Sequence, residues 1–184
     1  MDVAQNAPDT AILAEDEMTL YLQATSRRVF APKGQTPVIR ADPGRDKTSL
    51  YGTLDLKTGC EIVTQSATMN SDATAHHLQQ IMETIPTGPI LLFWDRAPWH
   101  GGQPVRELLA ANPRLEIMHF PVAAPDENPQ EHVWKDTRHH VSHNHSVPRL
   151  PALAEQVVNH LKETTFATSF LDHYGFNDIC SMFK

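Results

Sequence analysis

The segments PILLFWD (residues 89–95) and PDENPQEHVW (residues 125–134) enclose the part of the chain that decides its fold. Ile90–Trp94 is unbroken apolar, which is typical of a strand covered on both faces in a parallel sheet. Pro104–Ala111 carries apolar residues at helical spacing, and Leu115–Phe120 has the pattern of a further short strand. We therefore predict a strand, a crossover helix and a second strand parallel to the first.

Acidic residues follow both of these strands. Asp95 comes directly after the first strand, and Glu131 lies shortly after the second. Parallel strands that are joined by a right-handed crossover have their carboxyl ends at one edge of the sheet. We therefore expect the carboxylates of Asp95 and Glu131 to meet at that edge.

A third acid lies inside a predicted strand, Ala11–Met18. Because side chains alternate along a strand, Asp16 falls in its apolar row, where a carboxylate is costly unless it is paired, hydrogen-bonded or bound to metal. Glu15 and Glu17 fall on the other face. We predict that these two neighbours either face solvent or contact the ligands of the site without binding metal themselves. If the assignment of the two strand faces is reversed, Glu17 would be a metal ligand.

Three acids brought together in this way predict a metal site. Carboxylate oxygens suit Mg²⁺ or Mn²⁺, and two such ions roughly 3.5–4 Å apart can promote attack on a phosphodiester and stabilise the leaving oxygen. Asp16, Asp95 and Glu131 are therefore the candidate catalytic residues and metal ligands.

Each acid also has a structural explanation that the sequence leaves open. Glu131 follows Asn128 by three residues, with Pro129 at the first helical position, so it could complete a capping box. Asp95 could cap the turn that follows its strand. Asp16 has the weakest explanation of this kind.

The remaining pattern completes a mixed α/β sheet with helices on both faces. Further strands are predicted at Ser49–Leu56 and Cys60–Ala67, a short ribbon at Arg28–Ala31 and Pro37–Arg40, and helices from Asn70 or Ser71 to Ile85 and over Pro151–Glu163. The aromatic end, Phe166–Phe183, is expected to pack against the body. With 184 residues, we expect one domain that spans the chain.

Composition narrows the class of protein. The chain has 40% hydrophobic residues and a net charge of −7, and no apolar run approaches the roughly 20 residues of a membrane span. Residues 1–10 lack the features of a signal peptide, and Cys60 and Cys180 lack metal-site spacing. We expect a protein of the reducing cytoplasm with no membrane partner.

The acidic balance alone argues against a nucleic-acid partner, but its distribution is uneven. Residues 27–47 carry six Lys or Arg residues against two Asp residues. This segment could contact phosphate or form a solvated basic hairpin, and both interpretations stay open. The candidate DNA contacts are Arg27, Arg28, Lys33, Arg96 and Trp99.

At these residues the sequence resembles the catalytic domain of mariner-superfamily transposases, in the bacterial insertion-sequence branch described as DDE superfamily endonucleases. The similar segments, in the order of that family, are AEDE (14–17), RVFAPKGQTP (28–37), LFWDRAPWH (92–100) and PDENPQEHVW (125–134). Thirty-five residues separate Asp95 from Glu131, which fits the family. The resemblance spans roughly residues 12–145.

The resemblance implies a ribonuclease H-like fold and two-metal cleavage and joining of DNA. It implies that Asp16, Asp95 and Glu131 hold the ions. His100, Asn128 and Trp134 match supporting positions of the family. It also implies transposon ends and target DNA as partners, a homodimer, and a bacterial, nucleoid-associated location.

Several positions depart from the family pattern. Arg96 replaces the usual Asn after the second acid, and Gln130 replaces the usual Ile before the glutamate. About ten residues precede the first strand, so we expect no amino-terminal helix-turn-helix domain. DNA recognition would then belong to a separate module. An inactive, transposase-derived binding or assembly module is therefore the alternative hypothesis, and a nuclease that cuts RNA–DNA hybrids is a third.

A histidine-rich stretch invites a zinc hypothesis. His139 and His143 share a helical face, with His132, His140 and His145 nearby. No cysteine or HExxH motif accompanies them. We therefore expect a polar, exposed end of the helix that carries Glu131.

Overall fold

The computed structural model describes residues 9–38, 44–121 and 128–166. The strands in these ranges are β1 (Ala11–Tyr21), β2 (Lys47–Asp55), β3 (Glu61–Ser66), β4 (Ile90–Trp94) and β5 (Leu115–His119). The α-helices are α1 (Ser71–Thr84), α2 (Gln103–Ala111), α3 (Pro129–Thr137) and α4 (Leu150–Glu163). A short 3₁₀ helix, Pro98–Gly101, precedes α2, and a π-helix, Arg138–Ser142, follows α3.

The five strands form one mixed sheet in the order β3-β2-β1-β4-β5. The pairs β1–β2 and β2–β3 are antiparallel, whereas β1–β4 and β4–β5 are parallel. The predicted strand, crossover helix and parallel strand are thus β4, α2 and β5. The predicted five-stranded mixed sheet is confirmed.

Helices cover both faces of the sheet, and each face has its own apolar core. Residues of α1 and α2, such as Leu78 and Val105, pack with Leu13 of β1 and Leu92 of β4. The opposite face packs α3 and α4 against Met18 of β1 and its neighbours on β2. Because both faces of β1 are covered, consecutive residues of this strand are buried.

Gly52 lets α3 lie close to the sheet. It pairs with Asp16 across the β1–β2 ladder. A Cβ at this position would lie within 2.5 Å of Trp134 Cη2, Gln130 Nε2 and Glu61 Oε1. The missing side chain therefore makes room for the helix that carries Glu131.

The short ribbon predicted for residues 28–40 is wrong over its described part. Residues 28–38 contain no strand, although Gln35 N–H donates to the Pro32 carbonyl (3.0 Å) and Gly34 has φ +87°, so the predicted turn is present. Phe30 and Val38 are exposed. The turn alone does not make a ribbon, because no surface buries the residues that flank it.

The last described residue, Phe166, packs against the body of the protein. Phe166 is buried, and its N–H donates to the Gly59 carbonyl (2.8 Å), whereas the rest of the predicted packed end, residues 167–183, lies outside the described residues. Among the described residues, no helix has the length and apolar composition needed to cross a bilayer.

Candidate active site

Asp95 directly follows β4, and Asp16 lies in the middle of β1, just past the last residue that pairs with β4. The register pairs Ala14 of β1 with Phe93 of β4, and extending it by two residues sets Asp16 beside Asp95. Side-chain alternation then places both carboxylates on the face that α3 covers, since Met18 of the same row packs there.

The start of α3 is tied to β1 next to Asp16. The Asn128 side chain caps the helix by accepting from Gln130 N–H (3.0 Å), with Pro129 at the first position. Asn128 Nδ2 also donates to the Glu15 carbonyl (3.3 Å). Glu131 lies in the first turn of this helix, so these contacts bring it to the same edge.

Trp134 packs the same helix against the sheet. Its side chain is fully buried in the core between α3 and the sheet. Among the described residues, Glu131 bonds to Asn128 through its backbone N–H (3.1 Å), and no hydrogen bond joins its carboxylate to the Asn128 N–H. The capping-box explanation of Glu131 is therefore not supported, and its carboxylate is available for other ligands.

The charges at this edge act on one another. Burial raises the pKa of Asp16 to about 7, with further increases from the nearby charges of Glu131, Glu17 and Asp95, while a backbone hydrogen bond opposes them. A raised pKa means that the ionised form of Asp16 is destabilised at this position, and a bound cation would stabilise it. The three predicted acids therefore form one electrostatically coupled group.

Asp95 is fixed in position by the turn after β4. Its Oδ1 accepts from Ala97 N–H (2.7 Å) and lies 3.3 Å from His100 Nδ1, which is also 3.1 Å from the Asp95 carbonyl. Asp95 thus does cap its turn, as the structural explanation proposed. Both contacts use Oδ1, however, and the side chain is 56% exposed, so capping does not occupy Oδ2.

The other face of β1 carries a second acidic cluster, and here the sequence prediction needs correction. Glu15 is only 1% exposed, and the Glu17 side chain is 4% exposed, so neither faces solvent. Glu17 Oε1 accepts from Trp99 Nε1 (2.5 Å) and lies 3.0 Å from His100 Nε2, which is 3.5 Å from Glu15 Oε2. The 3₁₀ helix covers this face, which explains the burial.

His100 connects the two faces. Its ring stacks on Trp94 with centroids 4.2 Å apart. Burial lowers the pKa of His100, but the hydrogen bond and charge of Glu17, together with the carbonyl and charge of Asp95, outweigh it and raise the pKa above its ordinary value. Burial, followed by the charges of Glu17, Asp16, Asp95 and Glu61, raises the pKa of Glu15 well above its ordinary value.

The donor set at the edge suits a hard divalent cation. Asp16, Asp95 and Glu131 offer carboxylate oxygens, the ligands that Mg²⁺ and Mn²⁺ prefer. In the described part of the chain, ligand atoms gather within 4.8 Å in two other groups, Glu15–Glu17–His100 and Asp136–His140–His160. The three edge acids are more widely spaced than these groups, so their fit to metal rests on donor chemistry and mutual repulsion.

A buried polar pair that the sequence analysis missed lies under α3. Gln130 Nε2 donates to Glu61 Oε1 (2.6 Å), and both side chains are almost inaccessible to solvent. Burial raises the pKa of Glu61 well above its ordinary value, and the bond from Gln130 opposes the shift. The departure of Gln130 from the usual Ile is the signal that could have revealed a polar partner.

A groove of about 830 Å³ runs beside the carboxyl-terminal part of α3. Its lining residues are Ser26, Arg27, Arg28, His132, Lys135, Asp136, His139 and Phe166. Two hydrogen bonds between Arg27 and Asn144 fix one wall (Arg27 N–H to Asn144 Oδ1, 2.8 Å; Asn144 Nδ2 to the Arg27 carbonyl, 3.1 Å). The groove brings three permanent cations near the helix of Glu131.

The other predicted DNA contacts lie apart from this groove. Lys33 lies in the exposed turn, and Arg96 is exposed directly after Asp95. Trp99 is half-buried, and its indole N–H is engaged by Glu17. None of these three lines the groove.

The described part of the chain therefore has a ribonuclease H-like fold with carboxylates at the edge where its parallel strands end. Residues 11–154 match the DDE superfamily endonuclease family. This chain belongs to that family.

The solved structures that this chain resembles include those of Mos1 mariner transposase and a simian T-cell lymphotropic virus intasome complex. The Mos1 transposase paired-end complex with left transposon end has a TM-score of 0.70 at 15% identity, covering 96% of this chain and 55% of that chain. The catalytic domain of Mos1 mariner transposase has a TM-score of 0.64 at 12% identity, covering 96% and 81%. A simian T-cell lymphotropic virus intasome has a TM-score of 0.56 at 13% identity, covering 84% and 50%.

This chain spans about half the length of the Mos1 chains in the DNA complexes. At these identities the likeness concerns the fold. A comparison with curated proteins finds no significant match.

Proposed function

We propose that this chain is the catalytic domain of a metal-dependent DNA transposase, which cuts and joins phosphodiester bonds with two Mg²⁺ or Mn²⁺ ions held by Asp16, Asp95 and Glu131. The main support is the arrangement of these acids at one edge of the sheet, where burial and their mutual charges raise the pKa of Asp16 to about 7. Membership of the family supports the same activity.

Each residue has a defined part in this proposal. Bound ions would activate the attacking oxygen and stabilise the leaving oxygen of the phosphodiester. Ala97 N–H and His100 orient Asp95, and the Asn128 cap orients the first turn of α3 and hence Glu131. Glu17 acts through His100 and is a positioning residue.

DNA is the proposed substrate, and the groove supports it. Arg27, Arg28 and Lys135 line a concave surface beside the helix of Glu131, where phosphate contacts would position the strand. Mos1, whose solved structures include a paired-end complex with left transposon end and a strand transfer complex, has the same fold. We extend to this chain the use of transposon ends, a dimer and a separate recognition module.

Cleavage of labelled duplex DNA in Mg²⁺ or Mn²⁺ tests the proposal. Asp95→Asn, Asp16→Asn and Glu131→Gln should each lower the nicking rate at least about 100-fold, since a lost ligand removes roughly 3 kcal/mol of transition-state stabilisation. Glu116→Gln, which changes an exposed acid on β5, should nick like the unchanged protein. Full activity of Asp95→Asn would refute the proposal.

The alternative hypotheses give different outcomes in the same assay. An inactive binding or assembly module retains DNA at the groove but cuts nothing in either metal. A hybrid-specific nuclease cuts an RNA–DNA hybrid and leaves duplex DNA intact. Incubating a precut end that has a free 3′-hydroxyl with plasmid then tests whether joining follows cutting.

A further inference from the structure

We propose a second metal site, for Zn²⁺ or a similar transition metal, formed by Asp136 at the end of α3, His140 in the π-helix and His160 in α4. Asp136 Oδ1 lies 3.2 Å from His140 Nδ1, and Asp136 Oδ2 lies 3.1 Å from His160 Nε2. One ligand atom from each residue lies within 4.8 Å of the other two. The site is separate from the three edge acids.

The donor types and spacing favour zinc. Zinc takes imidazole nitrogen and carboxylate oxygen at about 2.0–2.2 Å in tetrahedral geometry, in which neighbouring ligand atoms are about 3.3 Å apart. The contacts of 3.2 and 3.1 Å have nearly that spacing but use different oxygens of Asp136. One ligand atom from each of the three residues lies within 4.8 Å of the others, so a small side-chain rotation would complete the site. Three protein ligands leave a fourth position for water.

The surroundings of the ligands support the same conclusion. The His140 and His160 rings stack with centroids 5.7 Å apart, so the two imidazoles lie next to each other beside Asp136. Thr164 Oγ1 lies 3.5 Å from His160 Nδ1, and the tautomer in which Nδ1 donates to this hydroxyl leaves Nε2 free to bind metal. His140 Nδ1 also lies 3.0 Å from the Asp136 carbonyl, a contact that metal would replace.

The sequence pattern pointed to different residues because only histidines were compared, whereas Asp136 and His140 have the same i,i+4 spacing. Helical spacing paired His139 with His143. The third ligand, His160, comes from α4, twenty residues further along the chain, so local spacing could not reveal it. Zinc bound here would join the end of α3 to α4 and hold in place the helix that carries Glu131.

Zinc titration by calorimetry in a saturating excess of Mg²⁺ tests the site. We expect one equivalent of Zn²⁺ to bind the unchanged protein and Co²⁺ to give the intense visible absorption of a tetrahedral complex. His160→Gln and Asp136→Asn should each weaken binding at least roughly 100-fold, more than the loss of an outer-shell partner costs. Zinc should also raise the melting temperature of the unchanged protein by roughly 5 °C.

Two controls separate this site from other metal ligands. His76→Gln changes an exposed histidine on α1, and Asp95→Asn changes an edge acid; both should bind zinc like the unchanged protein. Circular dichroism of the metal-free variants checks that they fold. If His160→Gln does not fold, Asp136→Asn still tests the site, because this residue is half-exposed and its replacement disturbs the core less. The proposal is refuted if the unchanged protein binds no zinc, or if a folded His160→Gln or Asp136→Asn variant binds it equally well. Neither result depends on DNA cleavage.

Discussion

At the scale of single residues, Gly52 decides how closely α3 approaches the sheet. Its position opposite Asp16 is filled by Trp134, Gln130 and Glu61, each within 2.5 Å of where a Cβ would stand. Gly52 therefore contributes to the site through the space that it leaves for α3.

Gly52→Ala should lower the free energy of unfolding by roughly 1–3 kcal/mol, since the new methyl group overpacks the contact between α3 and β2. Gly101→Ala is the matched control, because nothing lies within 4 Å of a Cβ there; it should change stability by less than about 0.5 kcal/mol. Urea denaturation measures both. Equal stability of the two variants would show that α3 does not need this gap.

The Glu61–Gln130 pair gives a second prediction at this scale. Gln130→Leu removes the amide that donates to Glu61 Oε1, and leaving a buried carboxyl unpaired should cost roughly 1–3 kcal/mol. Replacing both residues with Leu should cost less than Gln130→Leu alone, because no polar atom is then orphaned. Strictly additive effects in urea denaturation would contradict a direct interaction.

At the scale of elements, α1 is joined to two strands by one buried imidazole. His77 Nε2 lies 2.8 Å from Thr53 Oγ1 on β2, and His77 Nδ1 lies 2.8 Å from Thr64 Oγ1 on β3. Burial, together with the charge of His76, lowers the pKa of His77 to about 3. This histidine is therefore neutral in the folded protein over most of the pH range.

Acid should weaken the fold through this contact. The unfolded chain protonates His77 below a pH of about 6.5, whereas the folded chain does so only near pH 3. The contribution is thus complete above pH 6.5 and is lost as the pH falls towards 3, at up to about 1.4 kcal/mol per pH unit. In His77→Gln, the free energy of unfolding should fall less steeply over that range. His139→Gln, which changes an exposed histidine far from His77 in the chain, is the control and should leave the pH curve unchanged. Parallel pH curves for His77→Gln and the unchanged protein would contradict this assignment.

The elements that were predictable are those whose periodicity reflects burial. Ile90–Trp94 is buried on both faces and was predicted from its unbroken apolar run. The Arg28–Ala31 strand failed because a turn signal indicates a ribbon only where another surface buries one face of the flanking strands. Glu15 was misplaced for a related reason: alternation assigns a residue to a face but does not say that the 3₁₀ helix covers that face.

At the scale of the whole molecule, a net charge of −7 coexists with a cationic groove. Arg27 and Arg28 come from the segment after β1, and Lys135 comes from α3, so only folding brings them together. The sequence shows the local excess of basic residues but not that Lys135 lies near them in the fold. The sequence also gives the order of the three acids along the chain, but the distances between their carboxylates depend on how α3 packs on the sheet.

Salt dependence of DNA binding tests the groove. Arg27→Ala, Arg28→Ala and Lys135→Ala should each weaken binding and reduce the slope of log affinity against log salt by about 0.9 for each phosphate that the variant no longer neutralises. Arg106→Ala, on α2 across the sheet, should leave the slope unchanged. Fluorescence anisotropy measures all four, and equal slopes would place the DNA elsewhere.

The central claim is that Asp16, Asp95 and Glu131 hold divalent ions, and anomalous diffraction from a crystal soaked in Mn²⁺ tests it most directly. We expect manganese peaks between these three carboxylates in the unchanged protein and no such peaks in Asp95→Asn crystals. Manganese found only at Glu15, Glu17 and His100, or no manganese near the three acids, would contradict it.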